Sequence, residues 1–256
     1  MSDQLWPARL SIIRHGESAG NVASDAAEAA GHPMIDIAHR DMDVPLSALG
    51  QLQAGAVGRW LADRGGDELP TVVVCSPYVR ACSTAELLLG SAGLRPHHDV
   101  EFVVDERVRE REFGILDRLT KVGIAERHPE QAEFRAHLGK FYHRPPGGES
   151  WADVVLRVRS LIDTIGREFH GERVLVVTHQ VVVLMFRYVL EHMDESQIMA
   201  IDRSEAVANC SVTTFEHDPR LGRKGGMRLV RFNEVAPLER EATPVTTEPD
   251  VPAGPK

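Results

Sequence analysis

Two histidines and two arginines follow apolar segments of the chain, at positions where they could bind a phosphoryl group. They are Arg14, His15, Arg80 and His179. The apolar segments, each typical of a buried strand, cover residues 10–13, 72–75 and 173–178. Ligands of open α/β sheets bind just beyond the carboxyl ends of parallel strands, so these side chains are expected to meet there. Arginine binds a phosphoryl group through a bidentate fork, and the two guanidinium groups argue against a metal ion held by the histidines.

The chemistry that these residue types suit is phosphoryl transfer through a histidine. An unprotonated ring nitrogen of His15 can attack phosphorus in line and hold the phosphoryl group as a phosphohistidine. Arg14 and Arg80 would bind the non-bridging oxygens and stabilise their charge through the transition state. His179 would add a further hydrogen-bond donor.

The leaving oxygen needs a proton, which a carboxylic acid opposite His15 would supply. A charged segment at residues 106–112 follows a short predicted strand and contains three candidates, Glu106, Glu110 and Glu112. Composition does not choose between them, because each could also pair with the arginines of the same segment.

The overall composition is that of an ordinary globular chain. Its 256 residues carry a formal net charge of −9, which argues against nucleic acid or an anionic membrane surface as the main partner. No apolar run approaches the roughly 18 residues of a membrane span, and the first residues lack the apolar region of a signal peptide. The three cysteines show no C-x-x-C spacing, so neither a disulfide framework nor a zinc ribbon is expected. We expect a reducing, cytoplasmic setting.

Alternating strand and helix patterns predict the α/β class, as a three-layer α/β/α sandwich with a mostly parallel central sheet. We predict one domain over residues 1–234. From residue 235 onward Pro, Thr and Glu dominate, so residues 235–256 are predicted to form a disordered tail. Ser76 is predicted to cap a helix, and two late strands are predicted at residues 207–215 and 227–232.

Several short motifs appear in the order typical of one known family. They are R-H-G-E-S at residues 14–18, Asn21, L-S-x-x-G-x-x-Q-A at residues 46–54, S-P-x-x-R-x-x-x-T-A at residues 76–85, R-E-R-E-F-G at residues 109–114, G-G-E-S at residues 147–150 and T-H at residues 178–179. With this ordered set the chain resembles the histidine phosphatase superfamily, which contains cofactor-dependent phosphoglycerate mutases and many acid phosphatases. The resemblance implies a phosphoglycerate mutase-like histidine phosphatase domain for residues 1–234.

The resemblance also implies roles for the site residues. The family's phosphate-binding core matches Arg14, His15, Arg80 and His179, with His15 as the nucleophile. The family's acid stands four residues before the glycine of an aromatic-Gly pair, here Gly114. That position selects Glu110 as the general acid and base and leaves Glu112 as the alternative.

Further residues beside these motifs are expected to bind phosphate or substrate. Asn21 matches the family's asparagine, six residues after the nucleophile, and Gly16 would let the backbone approach the anion closely. Glu17 would orient neighbouring groups. Gln180 stands where many members have glycine, a departure that could crowd the turn after the second histidine. Arg144 precedes a Pro-Pro-Gly-Gly breaker and is expected to contact substrate.

These observations predict a phosphomonoester hydrolase that needs neither metal nor cofactor and acts on a small phosphorylated metabolite. One alternative is phosphotransfer of the phosphoglycerate mutase type. Mutases use a pair of arginines to bind the glycerate carboxylate, and this chain has no clear counterpart of that pair, which argues against the alternative. The other alternative is a non-catalytic phospholigand-binding protein. Gln180, in place of the usual glycine, would then be a sign of lost activity. Irregular segments at residues 21–44 and 115–144 are expected to set the substrate. The oligomeric state is open, with a homodimer as one option.

Overall fold

A six-stranded sheet occupies the centre of the structure, a computed structural model that describes residues 6–247. Its strands are β1 (Arg9–Arg14), β2 (Val72–Cys75), β3 (Glu101–Val104), β4 (Arg173–Thr178), β5 (Val212–Asp218) and β6 (Gly226–Glu234). They lie in the order β3-β2-β4-β1-β5-β6, in which the first four strands pair in parallel and β5 pairs antiparallel with both β1 and β6. The predicted α/β fold with a mostly parallel sheet is therefore confirmed.

Helices cover both faces of this sheet. They are α1 (Ala19–Ala30), α2 (Ala48–Arg64), α3 (Val79–Ser91), α4 (Lys121–Arg127), α5 (Pro129–Leu138), α6 (Trp151–Glu168), α7 (Gln180–Leu190), α8 (Glu195–Ser204) and α9 (Ala236–Glu239). Helices α6 and α7 form one apolar core with the sheet, and α2 and α3 form the other. Adjacent strand residues such as Ile12 and Ile13 enter different cores, because side chains alternate along a strand. Within residues 6–247, no helix combines the length and apolar character needed to cross a membrane.

The strand order brings three predicted strand ends to one edge of the sheet. Strand β4 lies between β2 and β1, and all three run in the same direction. His15 N donates to Thr178 O at 2.8 Å, and Ser76 N donates to Val177 O at 3.0 Å. The residues that follow these strands therefore share one edge of the sheet.

Two of the predicted element boundaries are wrong. Helix α3 begins at Val79 with Tyr78 as its N-cap, two residues later than predicted, and the hydroxyl of Ser76 accepts from Tyr78 N before the helix. The late strands are Val212–Asp218 and Gly226–Glu234 rather than residues 207–215 and 227–232. Cys210 has a left-handed φ of 54°, which interrupts extended pairing before β5 can begin.

The prediction of a disordered tail from residue 235 is wrong for residues 235–247. Helix α9 places Leu238 in the core that α2 and α3 form, where it is fully buried. Farther along, Gln53 Nε2 donates to Pro244 O and to Thr246 Oγ1, each at 3.0 Å. An apolar anchor and hydrogen bonds to Gln53 thus dock a segment that shows no apolar period. The rest of the predicted tail lies outside the described residues.

We expect Leu238→Ala to lower the free energy of unfolding by about 2–5 kcal/mol, since it removes a fully buried side chain. Val245→Ala is the matched control, because Val245 is 40% exposed in the same segment and its loss should change stability by under about 0.5 kcal/mol. Urea unfolding of both variants measures the difference. Equal stability of the two variants would mean that residues 235–247 do not dock on the domain.

Candidate active site

A cleft lies over the shared edge of the sheet, beyond the ends of β1, β2 and β4. Its lining includes His15, Arg80 and Glu110, with walls from residues 18–24, 35–44 and 113–118. Arg14 and His179 are fully buried beneath it. The predicted core residues thus come together, and the walls lie within or beside the two irregular segments.

The side chain of His15 has one defined tautomer in this arrangement. Its Nδ1 lies 2.7 Å from Gly16 O, and a carbonyl can only accept a hydrogen bond, so Nδ1 carries the proton. Its Nε2 then has a lone pair and accepts a hydrogen bond from Arg80 Nε at 3.2 Å. The free lone pair of His15 is therefore on Nε2, and it faces the guanidinium group of Arg80.

Electrostatics keep both site histidines neutral. Burial lowers the pKa of His15 well below its usual value of 6.5, and the charges of Arg80 and Arg14 lower it further. Burial likewise lowers the pKa of His179, with Arg80 next in importance. A neutral imidazole at His15 is the form that can attack phosphorus.

Arg80 is held in place by the 35–44 wall. Its Nη1 donates to Asp41 O at 2.5 Å and lies 3.0 Å from Asp41 Oδ1. Its guanidinium carbon stands 4.9 Å from the centroid of the Tyr78 ring. Sequence reasoning missed Asp41, because the segment around it has no period and no motif.

His179 is positioned by Ser76, the residue predicted to cap a helix. Ser76 Oγ lies 2.8 Å from His179 Nε2 and accepts from Tyr78 N at 3.3 Å. A hydroxyl that accepts from this amide can give its own proton to His179 Nε2. The ring of His179 stands 5.1 Å from that of His15, so Ser76 fixes the second histidine beside the first.

Among the three candidate acids, the structure favours Glu110. It is 3% exposed, with Oε2 at 3.4 Å from His179 Nδ1 and Oε1 accepting from Arg111 N at 2.8 Å. Glu106 is exposed, and Glu112 is exposed and accepts from the Tyr78 hydroxyl at 3.2 Å. Only Glu110, of these three, places a carboxylate oxygen within 4.8 Å of ring nitrogens of both histidines.

Gly16 and Glu17 contact the start of α2 behind the site, and the close approach of the Gly16 backbone to an anion stays a prediction. A Cβ on Gly16 would lie 2.5 Å from Gly50 O, and a Cβ on Gly50 would lie 2.0 Å from Glu17 O. Glycine at 16 and 50 thus allows the start of α2 to approach the loop after β1. Glu17 Oε1 accepts from Ser47 Oγ at 2.5 Å and does not line the cleft.

The other predicted substrate contacts have three different outcomes. Asn21 lines the cleft, with its Oδ1 accepting from Ser18 N at 3.0 Å as part of a capping box at α1. Gln180 is the first residue of α7, is buried, and does not line the cleft. Arg144 is corrected outright: its side chain is 62% exposed and pairs with Asp153 at the start of α6, away from the cleft.

Arg14, the other predicted cation, is buried beneath the cleft. Its Nη1 donates to Val207 O at 2.6 Å, which ties the end of β1 to the loop before β5. Its charge reaches His15 and lowers the pKa of that ring. Direct contact of Arg14 with phosphoryl oxygens stays a prediction.

The donor types of His15, Glu110 and His179 would also suit a transition metal, since their ligand atoms lie within 4.8 Å of one another. The surroundings fit a cation poorly. Arg80 Nε already donates to the lone pair of His15 Nε2, and Arg14 and Arg80 make the site electropositive. These side chains fit an anion better.

The depressed pKa values also predict how stability depends on pH. Below pH 6.5 an unfolded histidine takes up a proton that buried His15 and His179 resist, so the free energy of unfolding should fall as pH falls below that value. The loss is at most about 1.4 kcal/mol per histidine and pH unit. Urea unfolding between pH 7.5 and 5.5 measures it, and His179→Gln should reduce the slope. An unchanged slope in that variant would contradict the account.

Fold and site together define an α/β protein of the phosphoglycerate mutase-like class. The sequence model of the histidine phosphatase superfamily (branch 1) matches residues 10–234, and the chain belongs to that superfamily. The family predicted from the motifs is thus confirmed.

Relatives and solved structures extend this result. Bifunctional protein Rv2228c of Mycobacterium tuberculosis is 35% identical over 173 residues, which are 68% of this chain and 41% of that protein, so the chain spans less than half of that relative. The 2,3-bisphosphoglycerate-dependent phosphoglycerate mutase 2 of Gloeobacter violaceus is 29% identical over 82% of this chain and 86% of its own. Mycobacterial glucosyl-3-phosphoglycerate phosphatase Rv2419c, solved in complex with VO3, is 27% identical with a TM-score of 0.67, covering 88% of this chain and 99% of its own.

Proposed function

We propose that the chain hydrolyses phosphomonoesters through a phosphohistidine on His15, with Glu110 as general acid and base. The observation that carries the proposal is the state of His15, a neutral imidazole whose Nε2 lone pair faces Arg80. The carboxyl of Glu110 stands in the same cluster. Phosphatases among the structural neighbours support the same reaction class.

The first step transfers the phosphoryl group to the protein. The lone pair of His15 Nε2 forms the N–P bond while the ester P–O bond breaks, and the leaving oxygen takes the proton of Glu110 in its acid form. Arg80 donates to the non-bridging oxygens as their charge is redistributed. The phosphorylated ring is cationic, and its Nδ1–H stays hydrogen-bonded to Gly16 O.

The second step releases phosphate. Glu110, now a carboxylate, takes a proton from a water molecule whose oxygen bonds to phosphorus. The N–P bond breaks, its electron pair returns to His15 Nε2, and both side chains regain their starting forms. Apart from the substrate, these two steps consume only water.

Acidic side chains in the cleft favour substrates whose leaving group carries no negative charge. Asp41 and Asp117 both line the cleft, and burial, with Asp41 nearby, raises the pKa of Asp117. A leaving group with a carboxylate would meet these two residues. Arg118 also lines the cleft, but its guanidinium group donates to Ile37 O and His39 O in the cleft wall. This arrangement argues for hydrolysis of neutral or cationic phosphoesters over phosphoglycerate mutation.

We expect Asp41→Asn to raise the ratio of kcat/KM for a carboxylate-bearing phosphoester to kcat/KM for a neutral one about fivefold, since removing a like charge is worth about 1 kcal/mol. Any loss of Arg80 positioning affects both substrates and cancels in this ratio. The control is Asp36→Asn, because Asp36 is exposed on the same segment and does not line the cleft. Steady-state kinetics on 3-phosphoglycerate and on an uncharged sugar phosphate give the ratio. Equal changes for both substrates would refute charge selection by Asp41.

The proposed reaction is tested by phosphate release from an aryl phosphate with EDTA present. We expect turnover without added metal and without a phosphorylated acceptor. A strict requirement for Mg²⁺ would contradict the proposed mechanism. Phosphoglycerate interconversion that depends on 2,3-bisphosphoglycerate, with little phosphate release, would instead favour the mutase reaction that the Gloeobacter relative's name describes.

A further inference from the structure

Two cysteines lie against each other directly beneath the phosphate site. Cys75 ends β2 and Cys82 lies in the first turns of α3, with their Sγ atoms 3.8 Å apart. Cys75 is fully buried, whereas Cys82 is only partly buried. The proposed reaction uses neither thiol. Two site residues lie between these cysteines in the chain. Ser76 contacts His179, and Arg80 donates a hydrogen bond to His15.

We propose that Cys75 and Cys82 form a reversible disulfide, an oxidation site that controls the phosphate-binding geometry. A disulfide requires an S–S distance of about 2.05 Å, so the sulfur atoms must approach by roughly 2 Å. The strand end and the first turns of the next helix are joined by a short turn, and this turn is the segment that must adjust. The third cysteine, Cys210, is buried near Arg14 and has no part in the pair.

The chemistry needs an oxidant of the peroxide class, and its atoms balance with hydrogen peroxide. The thiolate of Cys82 attacks a peroxide oxygen, breaks the O–O bond and becomes a sulfenic acid, with hydroxide as the leaving group. The sulfur of Cys75 then attacks the sulfenic sulfur, forms the S–S bond and releases water. Overall two thiols and one peroxide give one disulfide and two waters. A small-molecule disulfide reaches the same product by exchange.

The two thiols are suited to different parts in this reaction. The S–H of Cys75 points towards Cys82 Sγ, and this hydrogen bond lowers the pKa of Cys82, although burial and the charge of Glu86 oppose it. The same contact, together with burial, raises the pKa of Cys75. Cys82, which is also the more exposed, is therefore the attacking thiol, and Cys75 is the resolving one.

Oxidation would reach the active site through Ser76 and Arg80. Ser76 O lies 3.3 Å from Cys75 Sγ and 3.1 Å from Cys82 Sγ, and a disulfide has no S–H to donate to it. The hydroxyl of the same residue contacts His179 at 2.8 Å. Arg80 precedes Cys82 by two residues, so drawing Cys82 towards β2 also shifts the start of α3. A shift of about 1 Å in such a group can cost about 100-fold in rate.

The test treats the purified full-length protein with hydrogen peroxide and then with dithiothreitol. We expect the accessible thiol count to fall by two, a peptide map to link Cys75 to Cys82, and kcat/KM on an aryl phosphate to fall about tenfold or more, with recovery on reduction. Cys82→Ser should form no such link, and peroxide should cause no activity loss that dithiothreitol reverses. The activity of each variant is compared with that of its own reduced form. Cys210→Ser is the matched control and should keep both responses.

Two outcomes would overturn the proposal: no Cys75–Cys82 link under an oxidant that consumes thiols, or a link that leaves activity and phosphate affinity unchanged. The activity measurement rests on the proposed function, whereas the peptide map does not. If the reduced protein shows no turnover, affinity for inorganic phosphate replaces the rate. In that case the proposed hydrolysis fails, and the oxidation site is still decided by the link and by the change in phosphate affinity.

Discussion

His15→Ala should abolish phosphate release, with kcat reduced by at least about 10⁴-fold. The variant lacks the Nε2 lone pair that forms the N–P bond. His179 is not expected to replace it, since its two ring nitrogens contact Ser76 and Glu110. Phosphate release from an aryl phosphate, with EDTA present, measures the effect. His137→Ala is the control, because His137 is exposed on α5 and far from the cleft lining.

A His15→Ala variant that retained more than about one per cent of the wild-type rate would contradict nucleophilic catalysis by this residue. The variant should keep its fold, which the thermal midpoint checks. It should also still bind inorganic phosphate, because Arg80 remains. Loss of binding together with loss of rate would show a wider collapse of the site rather than a missing nucleophile.

Glu110→Gln should reduce hydrolysis of an alkyl phosphate by about 10²–10⁴-fold, because the alkoxide leaving group needs the proton that Glu110 gives. An aryl phosphate with an acidic phenol should lose much less in the first step, since that leaving group needs little protonation. Burst kinetics should then appear with the aryl substrate, because water attack on the phosphohistidine has lost its base. Parallel measurements on both substrates give the comparison.

Glu112→Gln is the matched control for this experiment, being the alternative acid in the same segment and exposed in the structure. It should change both rates by no more than about threefold. Equal losses of the first-step rate for alkyl and aryl substrates in Glu110→Gln would exclude Glu110 as the acid, whereas the second step is common to both substrates. A larger loss in Glu112→Gln than in Glu110→Gln would assign the role to Glu112.

The meeting of the four core side chains could be predicted because it depends on regular structure. Apolar runs identify the strands, and the parallel order of β1, β2 and β4 sends their ends to one edge of the sheet. The chemistry of two guanidinium groups and two imidazoles then suggests an anion. The tautomer of His15 could not be predicted, because it depends on a contact of 2.7 Å to a backbone carbonyl whose direction only the folded chain defines.

The sequence analysis identified the irregular segments that form the walls of the cleft, but not the side chains that face it. Asp41 contacts Arg80 from a short turn at Asp41–Asp43, and Asp117 reaches the same cleft from another irregular segment. Neither segment has a period, so nothing in the sequence indicates which way its side chains point. Arg144 was misplaced for the related reason that an exposed arginine near a motif has a nearby acid, Asp153, as its partner.

Two other errors come from single contacts that override local pattern. Ser76-Pro77 is a common way to begin a helix, yet Ser76 Oγ bridges His179 and Tyr78 N, and α3 begins only at Val79. The segment after residue 234 has the composition of a tail, yet Leu238 alone fills a position in the core. Composition averages over a window and therefore does not register one well-placed side chain.

Direct detection of the phosphorylated residue tests the central claim. The Glu110→Gln variant is mixed with an aryl phosphate, quenched within the burst under alkaline denaturing conditions that preserve an N–P bond, and mapped by mass spectrometry. We predict one phosphoryl group on the peptide that contains His15, at Nε2, and none in His15→Ala. A phosphoryl group on another residue, or turnover with no phosphorylated protein at any time, would contradict the phosphohistidine mechanism.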